Sequence, residues 1–168
     1  FYVATNERDP RFFDLYEYDP DDYSRELIYQ NDDGYFPGSV SPDGHLVSLT
    51  KIQTRADSDV FIYNRLDKTT KCLTQHEGDI SHSSADFTPD SKQLLVTTDR
   101  DSEFQYLIQI DVETGKQKEI AKYDWDITGA GISRKGKYFQ VRVNEDGKPE
   151  LILMEYPSME PVAMPEIE

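Results

Sequence analysis

Short runs of alternating apolar and polar residues recur along the chain, separated by clusters of Pro, Asp, Gly and Ser. Three of these runs carry an apolar pair two residues apart: Val47/Leu49, Leu94/Val96 and Phe139/Val141. Side chains two apart lie on one face of a β-strand, so each run predicts a strand with one buried stripe. A turn precedes each run: Ser41-Pro42-Asp43-Gly44, Thr88-Pro89-Asp90-Ser91 and Ser133-Arg134-Lys135-Gly136. Pro presets φ, Asp bonds its own downstream backbone and Gly accepts a positive φ, which is turn chemistry. The second turn follows the first by 47 residues and the third follows by a further 45.

A second column repeats with nearly the same period. It comprises Asp14-Leu15-Tyr16-Glu17-Tyr18-Asp19, Asp59-Val60-Phe61-Ile62-Tyr63-Asn64, Tyr106-Leu107-Ile108-Gln109-Ile110-Asp111 and Glu150-Leu151-Ile152-Leu153-Met154-Glu155. Each predicts a strand that ends in an acid or Asn and runs into a polar turn, of which Glu113-Thr114-Gly115-Lys116 is the clearest. A third column, Ile28, Leu73 and Ile120, marks a short outer strand. No stretch with a 3.6-residue period interrupts the pattern.

Four strands per unit and a period near 45 residues are the signature of a β-propeller blade. The expected fold is therefore all-β: four-stranded antiparallel blades, about four of them, in a partial ring of about 15 strands. The units fall at 1–30 (lacking its first strand), 35–75, 81–122 and 126–166. Stacked blades bury both sheet faces, which accounts for apolar Leu46 and Leu95 beside the main column. The expected core is Val47, Leu49, Leu94, Val96, Phe139 and Val141, with Phe61 and Ile108.

The Ser-Pro-Asp-Gly turn, the apolar strand after it, a polar hairpin and an Asp-x-apolar-x-Tyr strand resemble the WD40-like propeller repeat. That repeat is found in the Tol-system periplasmic protein and in the propeller domains of the prolyl oligopeptidase family of serine peptidases. The stretch Ala4–Asp19 narrows the resemblance. Thr5-Asn6, Arg8-Asp9 and Phe13-Asp14-Leu15-Tyr16 look like blade segments of the dipeptidyl-aminopeptidase-like members of that peptidase family. The third turn departs from the pattern, with Arg134-Lys135-Gly136 in the Pro-Asp-Gly slot, and Asn6 and Arg8 have no clean counterparts in the second and fourth units.

The resemblance implies a propeller that performs no chemistry itself. It would sit over an α/β-hydrolase domain and restrict entry to a Ser-Asp-His triad, so that its partners are that downstream domain and peptide substrates. The sequence agrees with this division, because it contains no Gly-x-Ser-x-Gly nucleophile elbow. Gly129-Ala130-Gly131-Ile132-Ser133 has its glycines and serine in the wrong order and reads as a strand-edge segment. The hydrolase domain is expected beyond Glu168. A non-enzymatic interaction propeller resembling the Tol-system protein is the alternative.

Composition narrows the partners. The chain has 168 residues and a net charge of −15, from 33 acidic and 18 basic residues spread along its length. Nucleic acid and anionic membrane surfaces want a basic face, so neither is an expected partner. No apolar run approaches the length of a membrane-spanning helix. The first residues, Phe1-Tyr2-Val3-Ala4, carry no Met and no basic leader, so the chain reads as a piece of a longer soluble protein, with cytoplasm and periplasm both open as locations. Cys72 is the single cysteine, which excludes an intrachain disulfide and a Cys-based zinc site.

No catalytic, cofactor-binding or metal-binding residue is assigned from the sequence. His76 and His82, with Asp79 and Asp86, could be drawn as a metal cluster. However, His76 is expected at the end of an outer strand and His82 at the start of an inner one, which would put them far apart. His45 follows a turn and is expected to be exposed. Ser41, Ser83, Ser84 and Ser133 read as polar lining of the propeller channel, since none has a paired base. Asp21-Asp22, Asp32-Asp33 and Asp57/Asp59 lie in loops without EF-hand spacing. Arg8-Asp9, Arg55-Asp57 and Arg100-Asp101 read as ion pairs that stabilise hairpins, or as loop groups that touch the hydrolase domain or a peptide terminus. Trp125, between Asp124 and Asp126, is either an exposed platform or an inter-blade packing residue. Cys72 is expected to be partly exposed, with no sign of reactivity. An open arc is also expected to expose apolar blade faces at 1–30 and 126–166, which would drive self-association.

Overall fold

A computed structural model describes residues 1–164. Fourteen strands are formed among these residues: β1 (Tyr2–Asp9), β2 (Phe12–Tyr18), β3 (Arg25–Tyr29), β4 (Phe36–Val40), β5 (Leu46–Ile52), β6 (Ser58–Asn64), β7 (Thr69–Cys72), β8 (His82–Phe87), β9 (Gln93–Thr98), β10 (Tyr106–Asp111), β11 (Gln117–Ala121), β12 (Asp126–Ile132), β13 (Tyr138–Glu145) and β14 (Lys148–Glu155). They make four antiparallel sheets, ordered β1-β2-β3, β4-β5-β6-β7, β8-β9-β10-β11 and β12-β13-β14. Each sheet is a meander in which every strand pairs with the next, and the sheets stack in sequence as an arc of a β-propeller. Among the described residues the arc does not close.

Side-chain alternation explains the stacking. Val47 and Leu49 on β5 face the first sheet and pack with Leu15, Ile28 and Tyr29. Val60 and Ile62 on β6 face the third sheet, where they meet Leu94, Val96, Ile108 and Ile110. Leu95 and Leu107 point the other way, toward Ile127, Phe139, Val141 and Val143 of the fourth sheet. The six predicted stripe residues Val47, Leu49, Leu94, Val96, Phe139 and Val141 are all buried, as is Ile108. Phe61 differs from expectation. It lies opposite Leu49 in the β5–β6 register, yet its ring packs edge-on against Tyr35 and it stays half-exposed, while its neighbours Val60 and Ile62 are buried.

The three turns share one construction. Ser41, Thr88 and Ser133 each use the side-chain hydroxyl to accept a backbone N–H five residues on, from Leu46, Gln93 and Tyr138 at 2.9, 3.1 and 2.9 Å. Gly44, Ser91 and Gly136 each take a left-handed backbone, with φ of 76, 61 and 61°. Asp43 and Asp90 fix the first two turns by accepting the Ser41 and Thr88 hydroxyl protons. Ser41 and Ser133 are thus turn caps and not channel lining. Ser83 is exposed and Ser84 half-buried on β8.

Two further expectations change. The fourth unit has three strands among the described residues, and a bridge from Met154 to Pro161 with a Val162 N–H donated to Leu153 stands where a fourth strand was expected. The end of that expected strand falls at 165–166, outside the described residues. The free face of the fourth sheet is mixed where an apolar one was expected for 126–166: β13 presents Gln140, Arg142 and Asn144 there, and β14 sets Leu153 and exposed Leu151 opposite Gln140 and Arg142. In the first sheet, Tyr2, Phe13 and Leu27 are exposed.

Candidate functional site

The histidines that the sequence separates are neighbours in space. The His76 and His82 ring centroids lie 5.0 Å apart. The segment after β7 is not a free connection. It runs back along the β5–β6 end of the second sheet, and the Ser58 N–H donates to the Ile80 carbonyl at 3.1 Å. Ser58 then joins the start of β8. Its hydroxyl donates to the His82 carbonyl at 2.8 Å and accepts the His82 N–H at 2.9 Å. The cluster therefore sits where the second and third sheets meet.

His76 is wedged between carboxylates. Its Nε2 lies 3.1 Å from Asp57 Oδ1, and its Nδ1 lies 2.9 Å from the Thr74 carbonyl and 3.2 Å from Asp59 Oδ1. All three partners are acceptors, so the arrangement favours the ring with a proton on each nitrogen. Burial works against that charge, but the Thr74 carbonyl, Asp59 and Asp57 outweigh it and hold the His76 pKa above its ordinary value. The Thr74 hydroxyl donates to Asp59 Oδ1 at 2.8 Å and accepts the Val60 N–H at 2.9 Å, which fixes the carboxylate.

His82 is the opposite case. It is 1% exposed, and burial, with Arg100 and His76 nearby, pushes its pKa down and favours the neutral ring. Its Nδ1 lies 3.1 Å from the Ser58 carbonyl, so Nδ1 carries the proton and Nε2 keeps a lone pair. That Nε2 is buried and has no hydrogen-bond partner. Asp59, His76 and His82 each place a ligand atom within 4.8 Å of the other two. Asp79 is exposed and apart, and Asp86 instead accepts the Ile132 N–H at 3.0 Å, tying the third sheet to the fourth.

The first sheet carries a related arrangement 45 residues earlier. Arg8, Asp14 and Asn31 stand in register with Gln53, Asp59 and His76. Arg8 donates Nε and Nη2 to the two oxygens of Asp14 at 2.6 and 2.9 Å, and Nη2 also to the Asn31 carbonyl at 2.8 Å. Asp14 is fully buried and accepts the Asn31 N–H at 2.8 Å. Gln53 Nε2 makes the matching bond to Asp59 at 3.1 Å. The Arg8 guanidinium holds the Asp14 carboxyl below its usual range.

The predicted hairpin ion pairs do not form as drawn. Arg8 pairs with Asp14 and Asp32 and leaves Asp9 to Arg11, because the β1–β2 turn brings Arg11 back onto Asp9 at 2.7 Å. Asp57 faces His76 and not Arg55. His45 is exposed beside Asp43, Cys72 is half-buried with its thiol pKa raised by burial, and Trp125 is partly exposed with its ring 5.9 Å from that of Phe104. The Arg8–Asp14 and His76–Asp59 contacts join residues 6 and 17 positions apart, and only the 45-residue offset between the two sets could have exposed them in the sequence.

No protein-family model matches the sequence, and no curated protein matches it. Solved structures do resemble it in fold. TolB from Acinetobacter baumannii aligns with a TM-score of 0.68 at 19% identity, over 95% of this chain and 39% of that one. A prolyl endopeptidase, from a study of inter-domain dynamics in two such enzymes, aligns at 0.63 and 16% identity, over 96% of this chain and 24% of that one. A puromycin-hydrolyzing peptidase from Mycobacterium tuberculosis aligns at 0.65 and 12% identity, over 96% and 30%. The chain thus spans well under half the length of each of these proteins, and the likeness is one of fold: a WD40-like propeller segment.

Proposed function

We propose that this chain is the propeller segment of a serine peptidase of the prolyl oligopeptidase family, and that it screens peptides on their way to an α/β-hydrolase domain encoded beyond residue 168. The observation that carries this reading is the Arg8–Asp14 pair. The stretch with the specific peptidase resemblance, Thr5-Asn6 through Tyr16, is the stretch whose Arg and Asp close the first sheet onto the link that follows it. The chain's own role is steric and positional, since its Ser41, Thr88 and Ser133 hydroxyls are engaged in turns.

A second reading, an interaction propeller of the Tol type, is supported by the fold likeness to TolB. In either reading the free face of the first sheet, where exposed Leu27 stands opposite Tyr16, is the surface through which the segment would meet further blades or a second copy. The experiment is hydrolysis by the full-length gene product. Short aminoacyl-proline chromogenic peptides should be cleaved, and folded proteins carrying the same sequence should not. A full-length product with no peptidase activity would favour the interaction propeller, and one that cleaves folded proteins equally well would remove the gating role.

A further inference from the structure

We infer that Asp59, His76 and His82 form a binding site for one divalent ion of the zinc class, clamped between the second and third sheets. The donor set is two imidazoles and a carboxylate, a combination suited to zinc and its neighbours in the first transition row. Two ligands on a tetrahedral zinc are separated by about 3.4 Å, given metal–ligand bonds of about 2.1 Å. His76 Nδ1 and Asp59 Oδ1 are 3.2 Å apart, and one ligand atom from each of the three residues falls within 4.8 Å of the other two. A contraction of this set about the ion completes three protein ligands and leaves a fourth position for water.

The second independent observation is the His82 ring. It is buried, its Nδ1 is fixed by the Ser58 carbonyl, and its Nε2 lone pair is left without a partner in the interior. A buried acceptor of that kind carries a desolvation cost that a metal ion would offset. The backbone carbonyl on the far nitrogen is also how metal-binding histidines are commonly oriented, and the Thr74 hydroxyl orients the Asp59 carboxylate in the same way. At His76 the ion takes the place of the Nδ1 proton now shared by Asp59 and the Thr74 carbonyl, and that proton leaves to solvent. Asp57 stays on Nε2 and keeps the ring in place. The ion would join β6, the link after β7 and the start of β8, which are otherwise held at this corner by the Ser58 hydrogen bonds.

The test is titration of the metal-free chain with Zn(II) by calorimetry, and with Co(II) by visible absorption. One ion per chain is expected, with the absorption of a tetrahedral nitrogen–oxygen site for cobalt. His76→Gln and His82→Gln should abolish this stoichiometric binding, and Thr74→Val should weaken it about 10- to 100-fold. His45→Gln, at an exposed histidine outside the cluster, should leave it unchanged. Because His82 is buried, folding of its variant is checked by circular dichroism. If that variant unfolds, His76→Gln and Thr74→Val carry the test. Absence of a saturable site for zinc, or binding that survives His76→Gln, or binding lost in His45→Gln, would overturn the inference.

Discussion

Asp14 and Asp59 hold the same station in successive sheets, 45 residues apart. Each lies on the third strand position of its repeat, accepts from a long side chain of the preceding strand or of the turn that ends it, and is tied to the link that leaves the sheet. In the first sheet the donor is Arg8 and the link residue is Asn31. In the second the donor is Gln53 and the link residue is His76. The acid is thus a latch between a hairpin and the chain's path to the next sheet, and the chemistry around it differs from one sheet to the next.

The first latch sets a pH dependence. The folded Asp14 carboxyl titrates below its ordinary value because Arg8 hydrogen-bonds its ionised form. A depressed carboxyl contributes stability in full above its unfolded pKa of about 3.9, and loses it as pH falls through the folded value. Arg8→Gln should lower the urea midpoint near neutral pH and flatten the acid limb, because without its partner the buried Asp14 carboxyl no longer titrates below its unfolded value. Urea titrations across the acid range check this. An unchanged acid limb in Arg8→Gln would mean that the pair does not act as a latch.

The interface between the second and third sheets should respond strongly to cavity formation. Leu94 is fully buried among Val60, Ile62, Val96 and Ile110. Leu94→Ala is expected to cost about 2–5 kcal/mol. Urea denaturation followed by circular dichroism measures the loss, and a variant as stable as the parent would place Leu94 outside a packed interface.

The third turn needs its glycine. Gly136 has φ of 61°, and a Cβ there would approach Pro89 Cγ at 3.2 Å. Gly136→Ala should lose about 1–2 kcal/mol from the left-handed backbone alone. The equivalent Ser91 already occupies that region, with its hydroxyl accepting the Asp43 N–H at 3.1 Å. Ser91 therefore serves the contact between the second and third sheets as well as its own turn. Equal stability of Gly136→Ala and parent in urea would contradict the assigned backbone.

Much of the fold was legible because it is written in period-two stripes. Val47/Leu49, Leu94/Val96 and Phe139/Val141 declare strands, and their recurrence declares stacked sheets. Phe61 is not legible in this way, because both faces of β6 are apolar and alternation alone does not say which side chain is sealed and which stays half-exposed. The mixed character of the fourth sheet's free face is legible at Gln140, Arg142 and Asn144, whose alternation with buried Phe139, Val141 and Val143 puts polar side chains beside Leu151 and Leu153. The site was less legible than the fold. Adjacent Arg8 and Asp9 suggested a pair, whereas neighbouring residues on a strand point to opposite faces, and Arg8 reaches Asp14 across the hairpin. His76 follows the last strand of one sheet and His82 begins the first strand of the next, at opposite edges, so the strand pattern alone sets them apart and the link between them decides their distance. Its return path is set by Asp57, Ser58 and Asp59, which no local pattern connects to it.

The most direct measurement for the central proposal is labelling of the full-length gene product with a serine-directed fluorophosphonate probe, followed by peptide mapping. A single modified serine C-terminal to residue 168, within a Gly-x-Ser-x-Gly elbow, is the predicted result, with the isolated 1–168 chain left unlabelled. A folded full-length product that takes up no probe, or a probe attached to a serine within residues 1–168, would contradict the assignment of this chain as the non-catalytic propeller of a serine peptidase.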